Sequence, residues 1–376
     1  MRKAVFIYSE SFEGYHYPAD CPFNTTRAGK ARKILDSMGL LTGDGRGEVA
    51  PVAAERVVLK KFHSARYLRA LKTAATGRWD TEALHMGIGT LDCPIFKGMY
   101  DYGALATGAT LAGVKLIISG EAAAVFNPSG GLHHAGPERA SGFCYINDVA
   151  IGCLVLAESG KRVLYLDVDV HHGDGVADAF YRRNDVMTIS FHESGRTLFP
   201  GTGFEDEIGA GEGKGYCVNV PLPVGTYDEV YLKAFRNIAA PLMEAYNPDV
   251  MVFELGADAL AGDPLAHLQL TNNVYADIVK HLVDFGKPIL MTGGGGYHIG
   301  NTVRAWALGW SVLCGAEAPE DSNIGAGGVM LESTEWQGGL RDRELAVSKQ
   351  QREAVEPVVE RVIEAVKGNV FCIHGL

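Results

Sequence analysis

Short apolar runs alternate with longer amphipathic stretches along this chain of 376 residues. The runs show no polar alternation, which predicts strands buried on both faces of a parallel sheet. They cover residues 4–8, 122–126, 163–167, 186–190, 250–255 and 288–292. Helix-length stretches lie between many of them, at residues 26–38, 102–119, 146–159, 228–246 and 272–285. The pattern predicts an α/β fold with an open, mostly parallel central sheet and helices on both faces.

Composition narrows the class of protein. Hydrophobic residues make up 47% of the chain, which is enough for a large core, and the net charge of −11 disfavours nucleic acid as a partner. The seven cysteines include no CxxC pair, and their odd number argues against a disulfide framework. The first residues, MRKAVFIYSE, reach a glutamate too early for a signal-peptide core, and no run of about 20 apolar residues follows. We therefore expect a cytoplasmic protein that binds no membrane.

The chain shows no fixed-period repeat, and its length is enough for one large α/β domain or two ordinary ones; we expect a single domain over residues 1–376. Residues 317–328 are rich in glycine, alanine and acidic residues, which is typical of a surface connection. Residues 343–366 are predicted to form a charged helix. We expect residues 316–376 to be a partly helical extension that packs on the domain or follows it.

The segment LYLDVDVHHGDG, residues 164–175, is the most informative in the chain. Alternate residues of an extended segment share a face, so Asp167, Asp169 and His171 are expected to point the same way. Such groups would repel each other or stay unsatisfied without a cation, and aspartate and histidine are common zinc ligands. A calcium loop of the EF-hand type would need glycine and glutamate where His172 and Asp178 stand. The segment predicts a transition-metal site.

A further ligand is expected from FELGAD, residues 253–258, which again places carboxylates at the end of an apolar run. Glu254 lies within the predicted strand, whereas Asp258 lies beyond its end. With Asp169 and His171, Asp258 completes three protein ligands and leaves one coordination position open, as in catalytic zinc sites.

Two further polar clusters follow predicted strands. In NPSGGLHHA, His133 and His134 are suited to acid–base chemistry, because imidazoles titrate near neutral pH. Asp167 and Asp174 are the obvious carboxylates to orient their rings. In TGGGGYH, the lysine of a phosphate-binding loop is missing, whereas Tyr297 could donate a hydrogen bond to a developing oxyanion.

The four clusters, in this order, resemble the histone-deacetylase-like zinc hydrolases of the arginase–deacetylase fold. The resemblance runs from about residue 5 to residue 315 and is nearest to the class I type and to bacterial acetoin-utilisation deacetylases. It rests on the strings GGLHHA, SGFCYIND, LDVDVHHGDGV, SFHESGRTLFPGTG, GADAL and GGGGYH. It implies hydrolysis of N-acetyl-lysine side chains in proteins, or of a small acetylated amine, to the free amine and acetate.

The resemblance also implies a role for each cluster residue. The zinc ligands would be Asp169, His171 and Asp258, with iron(II) as the alternative metal, and Tyr297 would polarise the acetyl carbonyl. His134 would be the general base and later protonate the leaving amine.

The remaining catalytic roles implied by the resemblance concern orientation and charge. Asp174 would orient His134, while His133, backed by Asp167, would stabilise charge beside it.

The resemblance further implies a substrate tunnel. Gly142, Phe143 and Phe199 would line it around the lysine stem. Asp92 would hold the substrate backbone at the rim, and Leu265 would complete the mouth.

A structural potassium ion is also implied by the resemblance, and it would lie beneath the zinc. Its ligands would be Asp167, Ser190 and the backbone carbonyls of Asp169, His171 and Phe191.

Three alternatives stay open on the sequence. An acetylpolyamine amidohydrolase would use the same chemistry, although the mouth carries Leu265 where a carboxylate would attract a distal ammonium. A two-metal ureohydrolase of the arginase type would need carboxylates where Gly173 and Leu260 stand. The third is a protein of another class, a non-catalytic binder of acetyl-lysine.

Overall fold

The fold was analysed in a computed structural model that describes residues 3–316 and 339–376. Eight strands lie in one sheet within these residues, and every neighbouring pair runs parallel. The strands are β1 (Ala4–Ile7), β2 (Arg46–Val49), β3 (Ala124–Asn127), β4 (Val163–Asp167), β5 (Val186–Glu193), β6 (Cys217–Leu222), β7 (Val250–Glu254) and β8 (Ile289–Thr292). Their order across the sheet is β2-β1-β3-β8-β7-β4-β5-β6.

Helices cover both faces of this sheet. They are α1 (Arg27–Ser37), α2 (Arg56–Leu59), α3 (Ala65–Ala74), α4 (Thr81–His85), α5 (Met99–Ile118), α6 (Asp148–Glu158), α7 (Asp174–Phe180), α8 (Asp228–Tyr246), α9 (Asn272–Phe285), α10 (Ile299–Leu313) and α11 (Lys349–Val370). Alternate strand residues enter two separate cores: Leu164 and Leu166 pack in one, Val163 and Tyr165 in the other. The first core includes α1 and α8 to α11, and the second includes α3, α5 and α6. The predicted fold class is confirmed.

All six predicted strands are present, and the five predicted helices differ from the observed ones by at most three residues at either end. Two strands were not predicted, and both lie at an edge of the sheet. β2 has the sequence RGEV and is partly exposed, so it lacks an apolar run. β6 contains Asn219 and Pro221, and a proline in a strand is tolerated at an edge.

The C-terminal helix was predicted at residues 343–366, whereas α11 begins at Lys349 and ends at Val370. Ser348 sets the start, because its side chain accepts a hydrogen bond from the backbone N–H of Gln351 at 3.1 Å. The buried face of α11 packs against β6 and α8. The predicted connection at residues 317–328 lies outside the described residues. Across residues 3–316 and 339–376, every helix is too short or too polar to traverse a bilayer.

The segment before α11 is tied to the rest of the molecule by a buried ion pair. Arg304 of α10 and Asp342 lie 2.6 Å apart, and their side chains are 6% and 17% exposed. Asp342 also accepts a hydrogen bond from the backbone N–H of Asn272 at 2.9 Å. This carboxylate therefore joins the C-terminal segment to α9 and α10.

We expect Asp342→Ala to lower the free energy of unfolding by about 3 kcal/mol, because it leaves the guanidinium of Arg304 buried without its partner. The measurement is urea unfolding of the purified protein. Asp284→Ala is the matched control: it breaks an exposed pair with Lys280 and should change stability by less than about 0.5 kcal/mol. Equal effects of the two substitutions would show that the buried pair does not anchor this segment.

Candidate active site and metal centre

The four polar clusters meet at one edge of the sheet. They follow β3, β8, β7 and β4, which are four consecutive strands in the sheet order. Because parallel strands end at the same edge, the loops after them converge there. This topology brings together residues that are more than 120 positions apart in the sequence, such as Asp169 and Gly295.

Asp169, His171 and Asp258 form a compact, buried group. One ligand atom from each lies within 4.8 Å of the others. His171 Nδ1 is 3.2 Å from Asp169 Oδ1 and 3.1 Å from Asp258 Oδ2. The three predicted ligands are therefore in place around one point.

Backbone groups hold the two carboxylates of this group. The N–H of Gly295 donates to Asp169 Oδ2 at 2.6 Å, and the N–H of Val170 donates to Asp258 Oδ1 at 2.9 Å. A Cβ atom at Gly295 would overlap the carboxylate of Asp258, and one at Gly256 would overlap that of Asp169. Glycine at these two positions lets the loops approach the carboxylates closely.

The donor set fits a divalent transition metal. Two aspartates and one histidine are ordinary zinc ligands, and three protein ligands leave room for a substrate or solvent atom. Two carboxylates within hydrogen-bonding distance of one imidazole, all buried, need positive charge between them. Burial, followed by the charge of Asp169, raises the pKa of Asp258 to about 7. A cation bound at this point would stabilise the ionised carboxylate of Asp258 and so counteract the increase in its pKa.

His133 and His134 lie beside the metal group and contact each other. Their Nε2 atoms are 3.0 Å apart. Each ring has its own carboxylate on the far nitrogen: His133 Nδ1 lies 2.9 Å from Asp167, and His134 Nδ1 lies 2.7 Å from Asp174. Both predicted pairings are present.

The two imidazoles have opposite preferences for a proton. Burial, reinforced by the charge of His133, lowers the pKa of His134 to about 4 despite Asp174. Burial opposes protonation of His133 as well, but the carboxylates of Glu254 and Asp167 outweigh it and raise the pKa of His133 well above its usual range. His134 is therefore neutral near pH 7 and can accept a proton on Nε2.

Asp167 does not join the metal group. Its Oδ2 atom lies 2.9 Å from His133 Nδ1 and 2.7 Å from the Tyr165 hydroxyl. Its Oδ1 atom accepts a hydrogen bond from the N–H of Asp169. Glu254, the other carboxylate of the FELGAD segment, lies beside His133, with its Oε1 3.1 Å from His133 Nδ1. Its Oε2 also lies 2.7 Å from the Tyr165 hydroxyl, whose single hydrogen can be donated to only one of the two carboxylates at a time. The two carboxylates thus surround the inner histidine.

Tyr297 lies in the loop that follows β8. Its ring centroid is 6.4 Å from that of His171 and 5.7 Å from that of Phe143. Asp263 holds the loop, because its Oδ2 atom accepts the backbone N–H of Tyr297 at 2.7 Å. The pKa of Tyr297 is raised well above its usual range by burial and then by Asp258, so its hydroxyl keeps its proton.

The glycine loop is also held by Arg27, which was not predicted as a site residue. Its guanidinium donates to the carbonyls of Gly296 at 2.7 Å and Gly294 at 3.0 Å. It is buried and lies over the ring of Trp306 at 5.0 Å. Arg27 and Asp263 thus hold the loop from two sides. The sequence gives only a weak indication of the roles of Arg27 and Asp263. Arg27, for example, is not part of a recognisable motif.

The loop that carries His133 and His134 is held from α6. Asp148 accepts the backbone N–H of Leu132 at 2.8 Å, and Asn147 donates to the carbonyls of His133 and Ala135 at 2.9 and 3.0 Å. Both residues belong to the string SGFCYIND, so a signal for them was present in the sequence.

The predicted tunnel residues lie around the same point. The ring of Phe199 is 5.1 Å from that of His134 and 6.3 Å from that of His171. Gly142 has φ +53, and a Cβ atom there would overlap the ring of His134. Asp92 accepts the N–H of Gly142 at 3.0 Å, which places it next to this turn.

The remaining predicted residues are Leu265, Ser190 and Phe191, and the contacts described for them are with residues other than the three metal ligands. Leu265 is half-buried, and its N–H donates to Asp263 at 2.9 Å. Ser190 stands opposite Asp167 in the pairing of β4 with β5, and its hydroxyl lies 2.9 Å from His192 Nδ1. Phe191 is buried, and its ring lies 5.5 Å from that of Tyr231 in α8.

Comparison with known proteins agrees with this geometry. The family described as "Histone deacetylase domain" matches residues 21–313. Histone deacetylase 3 of Oryza sativa is 40% identical over 322 residues, which cover 85% of this chain and 63% of that protein. The acetoin utilization protein AcuC of Bacillus subtilis is 40% identical over 326 residues, which cover 84% of both chains. The chain thus spans less than two thirds of the rice protein and most of AcuC.

Solved structures show the same fold. A crystal structure of an HDAC homolog in complex with SAHA superposes with a TM-score of 0.87 at 32% identity, covering 97% of this chain and 100% of that one. The HDAC homolog from Aquifex aeolicus gives a TM-score of 0.86 with the same identity and coverage. The chain belongs to the histone deacetylase family of metal-dependent amidohydrolases, as its motifs predicted.

Proposed function

We propose that this protein hydrolyses the amide of N-acetyl-lysine side chains in proteins to lysine and acetate. The observation that carries the proposal is the buried Asp169, His171 and Asp258 group beside His134, whose ring lies 5.9 Å from that of His171 and whose Nδ1 is paired with Asp174. The family includes deacetylases by name, and the chemistry fits a secondary amide, which is a poor electrophile with a poor leaving group.

Asp169, His171 and Asp258 would hold one divalent ion, zinc or iron(II). Such an ion supplies two effects: it lowers the pKa of a water molecule and polarises the acetyl carbonyl. The N–H groups of Gly295 and Val170 donate to the two carboxylates, which would direct both toward one point.

His134 would move the proton. Its Nδ1 faces Asp174 and its Nε2 can accept a proton from the attacking water as the oxygen bonds to the acetyl carbon. When the carbon–nitrogen bond breaks, the same proton passes to the leaving amine. His133, held between Asp167 and Glu254, keeps positive charge beside this step.

Tyr297 would donate its hydroxyl hydrogen to the carbonyl oxygen as negative charge develops there. Its loop is fixed by Asp263 and Arg27, so the donor is oriented before the substrate arrives. The rings of Phe143 and Phe199 would flank the lysine stem, and Gly142 would line the tunnel next to the ring of His134. Asp92 would hold the substrate backbone at the rim, and Leu265 would close the mouth.

The remaining expectations are proposed in the same way. A potassium ion would be held by Asp167, Ser190 and the carbonyls of Asp169, His171 and Phe191. The chain would form one catalytic domain with residues 316–376 as an extension. A cytoplasmic location, with neither nucleic acid nor membrane as a partner, stays a prediction.

The rival substrate is an acetylated polyamine. The experiment that separates it from acetylated protein is a rate comparison between an acetyl-lysine peptide and acetylputrescine, each with and without a chelator. The proposal predicts chelator-sensitive turnover with a higher kcat/KM for the peptide. Faster turnover of acetylputrescine would favour the polyamine function, and no turnover of either would favour the non-catalytic binder.

Asp258→Ala should strip the metal, because the remaining aspartate and histidine give too few ligands for a stable site. Metal content per chain, measured by inductively coupled plasma mass spectrometry, is expected to fall from about one to below about 0.1. Asp284→Ala, an exposed aspartate far from the site, is the control. Full metal content in the Asp258 variant would remove this residue from the ligand set.

His134→Ala should retain the metal and lose turnover by about 10³-fold, since it removes the proton acceptor but no ligand. The two readouts are kcat on an acetyl-lysine peptide and metal content of the same sample. Retained turnover would refute the assigned role, whereas loss of both metal and turnover would make His134 a structural support of the metal group.

Tyr297→Phe should lower kcat by about 10²-fold and leave metal content unchanged, because only the donor to the oxyanion is removed. The ring and its contacts with Phe143 and His171 are retained in this variant. An unchanged kcat would exclude the tyrosine hydroxyl from the reaction.

A further inference from the structure

A cavity of about 560 Å³ lies between helix α11 and the loops that follow β5 and β6. Arg196 and Thr197 lie in the first loop, Val224 lies in the second, and Arg361 lies on the helix. None of these residues takes part in the chemistry proposed above. A volume of this size is within the range of sites that bind small organic molecules.

Hydrogen bonds fix the loop after β5 at the wall of this cavity. The N–H of Ser194 donates to the carbonyl of Leu222 at 2.8 Å, and the carbonyl of Ser194 accepts the N–H of Thr197 at 2.9 Å. The side chain of Asn369 in α11 donates to the carbonyl of Glu205 at 2.8 Å, which joins the same loop to the helix. The walls are therefore in place before a ligand binds, and this reduces the entropy lost on binding.

Much of the cavity lining is apolar. Val358 and Val362 lie four residues apart on α11, so they share one face of the helix, and Pro221 lies in β6. Val362 and Pro221 are buried, whereas Val224 is 46% exposed. One exposed valine is ordinary on a protein surface, but Val224 lines the same concave space as these three apolar side chains. An apolar group bound there would remove this surface from water.

Two guanidinium groups line the same cavity. The group of Arg196 lies over the ring of Phe204, with its Cζ atom 5.7 Å from the ring centroid. Both Arg196 and Arg361 are exposed, and in the described part of the chain neither forms an ion pair with a carboxylate. By contrast, Arg352 of the same helix lies 2.9 Å from a carboxylate oxygen of Glu229. The charge of the two cavity arginines is therefore available to a ligand.

The cavity is locally positive in an acidic protein. Among its lining residues in the described part of the chain, Glu205 is the one carboxylate against two guanidinium groups, whereas the whole chain has a net charge of −11. Guanidinium groups bind carboxylate and phosphate oxygens through paired N–H donors. A ligand that complements this cavity therefore has an anionic head and an apolar body.

We infer that this cavity is a binding site for a small amphipathic anion. Its carboxylate or phosphate head lies between Arg196 and Arg361, and its apolar body covers Val224 and Val358. A small hydrophilic anion such as acetate would leave the valines in water, and a neutral apolar molecule would gain nothing from the two cations. The match of both properties selects the amphipathic anion.

The loop of Arg196 also carries Phe199, a residue of the proposed tunnel. Phe199 follows Arg196 by three positions, and its ring lies 5.1 Å from that of His134. A bound anion would therefore contact the loop that borders the candidate active site. The inference itself does not rest on the proposed deacetylase function, because the residues of the cavity take no part in it.

The test uses anilinonaphthalene sulfonate, an amphipathic anion whose fluorescence rises when its rings leave water. Phenylnaphthylamine, the same ring system without the sulfonate, is the uncharged control probe. Each probe is titrated with the purified protein at low ionic strength, where charged groups are least screened. The wild-type protein should bind the sulfonate saturably.

Arg196→Gln and Arg361→Gln should each weaken binding of the sulfonate about tenfold, because each removes a charged donor, and should leave the affinity for the uncharged probe unchanged. Val224→Glu should also weaken binding of the sulfonate, because it adds a carboxylate to the cavity. Lys349→Gln removes a positive charge from the same helix outside the cavity, so this matched control should change neither affinity. An unchanged unfolding temperature verifies the folding of these variants.

Displacement of the sulfonate by decanoate or by decyl phosphate then identifies the head group. Displacement by one of them assigns a carboxylate or a phosphate, and displacement by both assigns a site for either head. Displacement by neither would overturn the inference, as would equal affinity for the sulfonate in the wild type and in both arginine variants. No acetylated substrate is used, so failure of the proposed deacetylase function would leave these results unaffected.

Discussion

The buried contact of Asp169, His171 and Asp258 is the interaction on which the rest of the site depends. The two carboxylates and the imidazole are buried, and one ligand atom of each lies within 4.8 Å of the others. This arrangement is unfavourable unless a cation binds between them. The other groups of the site are arranged around this point. The rings of His134 and Tyr297 lie 5.9 Å and 6.4 Å from that of His171, and the carboxylates of Asp174 and Asp263 hold the two residues.

The sheet explains how such a costly arrangement is maintained. The ligands come from loops after β4 and β7, which are neighbours, and the loop after β8 supplies the N–H of Gly295 to Asp169. The close approach of these loops needs glycine at positions 256 and 295. Arg27 and Asp148 hold two of these loops through hydrogen bonds to their backbone. The packing of the two cores therefore keeps the charged side chains in position at the edge of the sheet.

Much of this could be predicted from sequence because its signals are local. Buried strands appear as apolar runs, and the residues that follow them must meet at one edge, which brought Asp169, His171, Asp258, His133 and His134 into one group. Edge strand β2 gave no such signal, because none of its residues is fully buried and its sequence, RGEV, has no apolar run. Arg27 and Asp263 act through hydrogen bonds to backbone atoms far away in sequence, and no residue pattern reveals such contacts before the loops are folded.

The most direct test of the account is anomalous X-ray diffraction from crystals of the protein purified without chelator, recorded above and below the zinc absorption edge, with the iron edge as the alternative. The account predicts one strong anomalous peak within bonding distance of Asp169, His171 and Asp258. A structure with these three side chains ordered and no peak between them, from protein that turns over acetyl-lysine peptides, would contradict it.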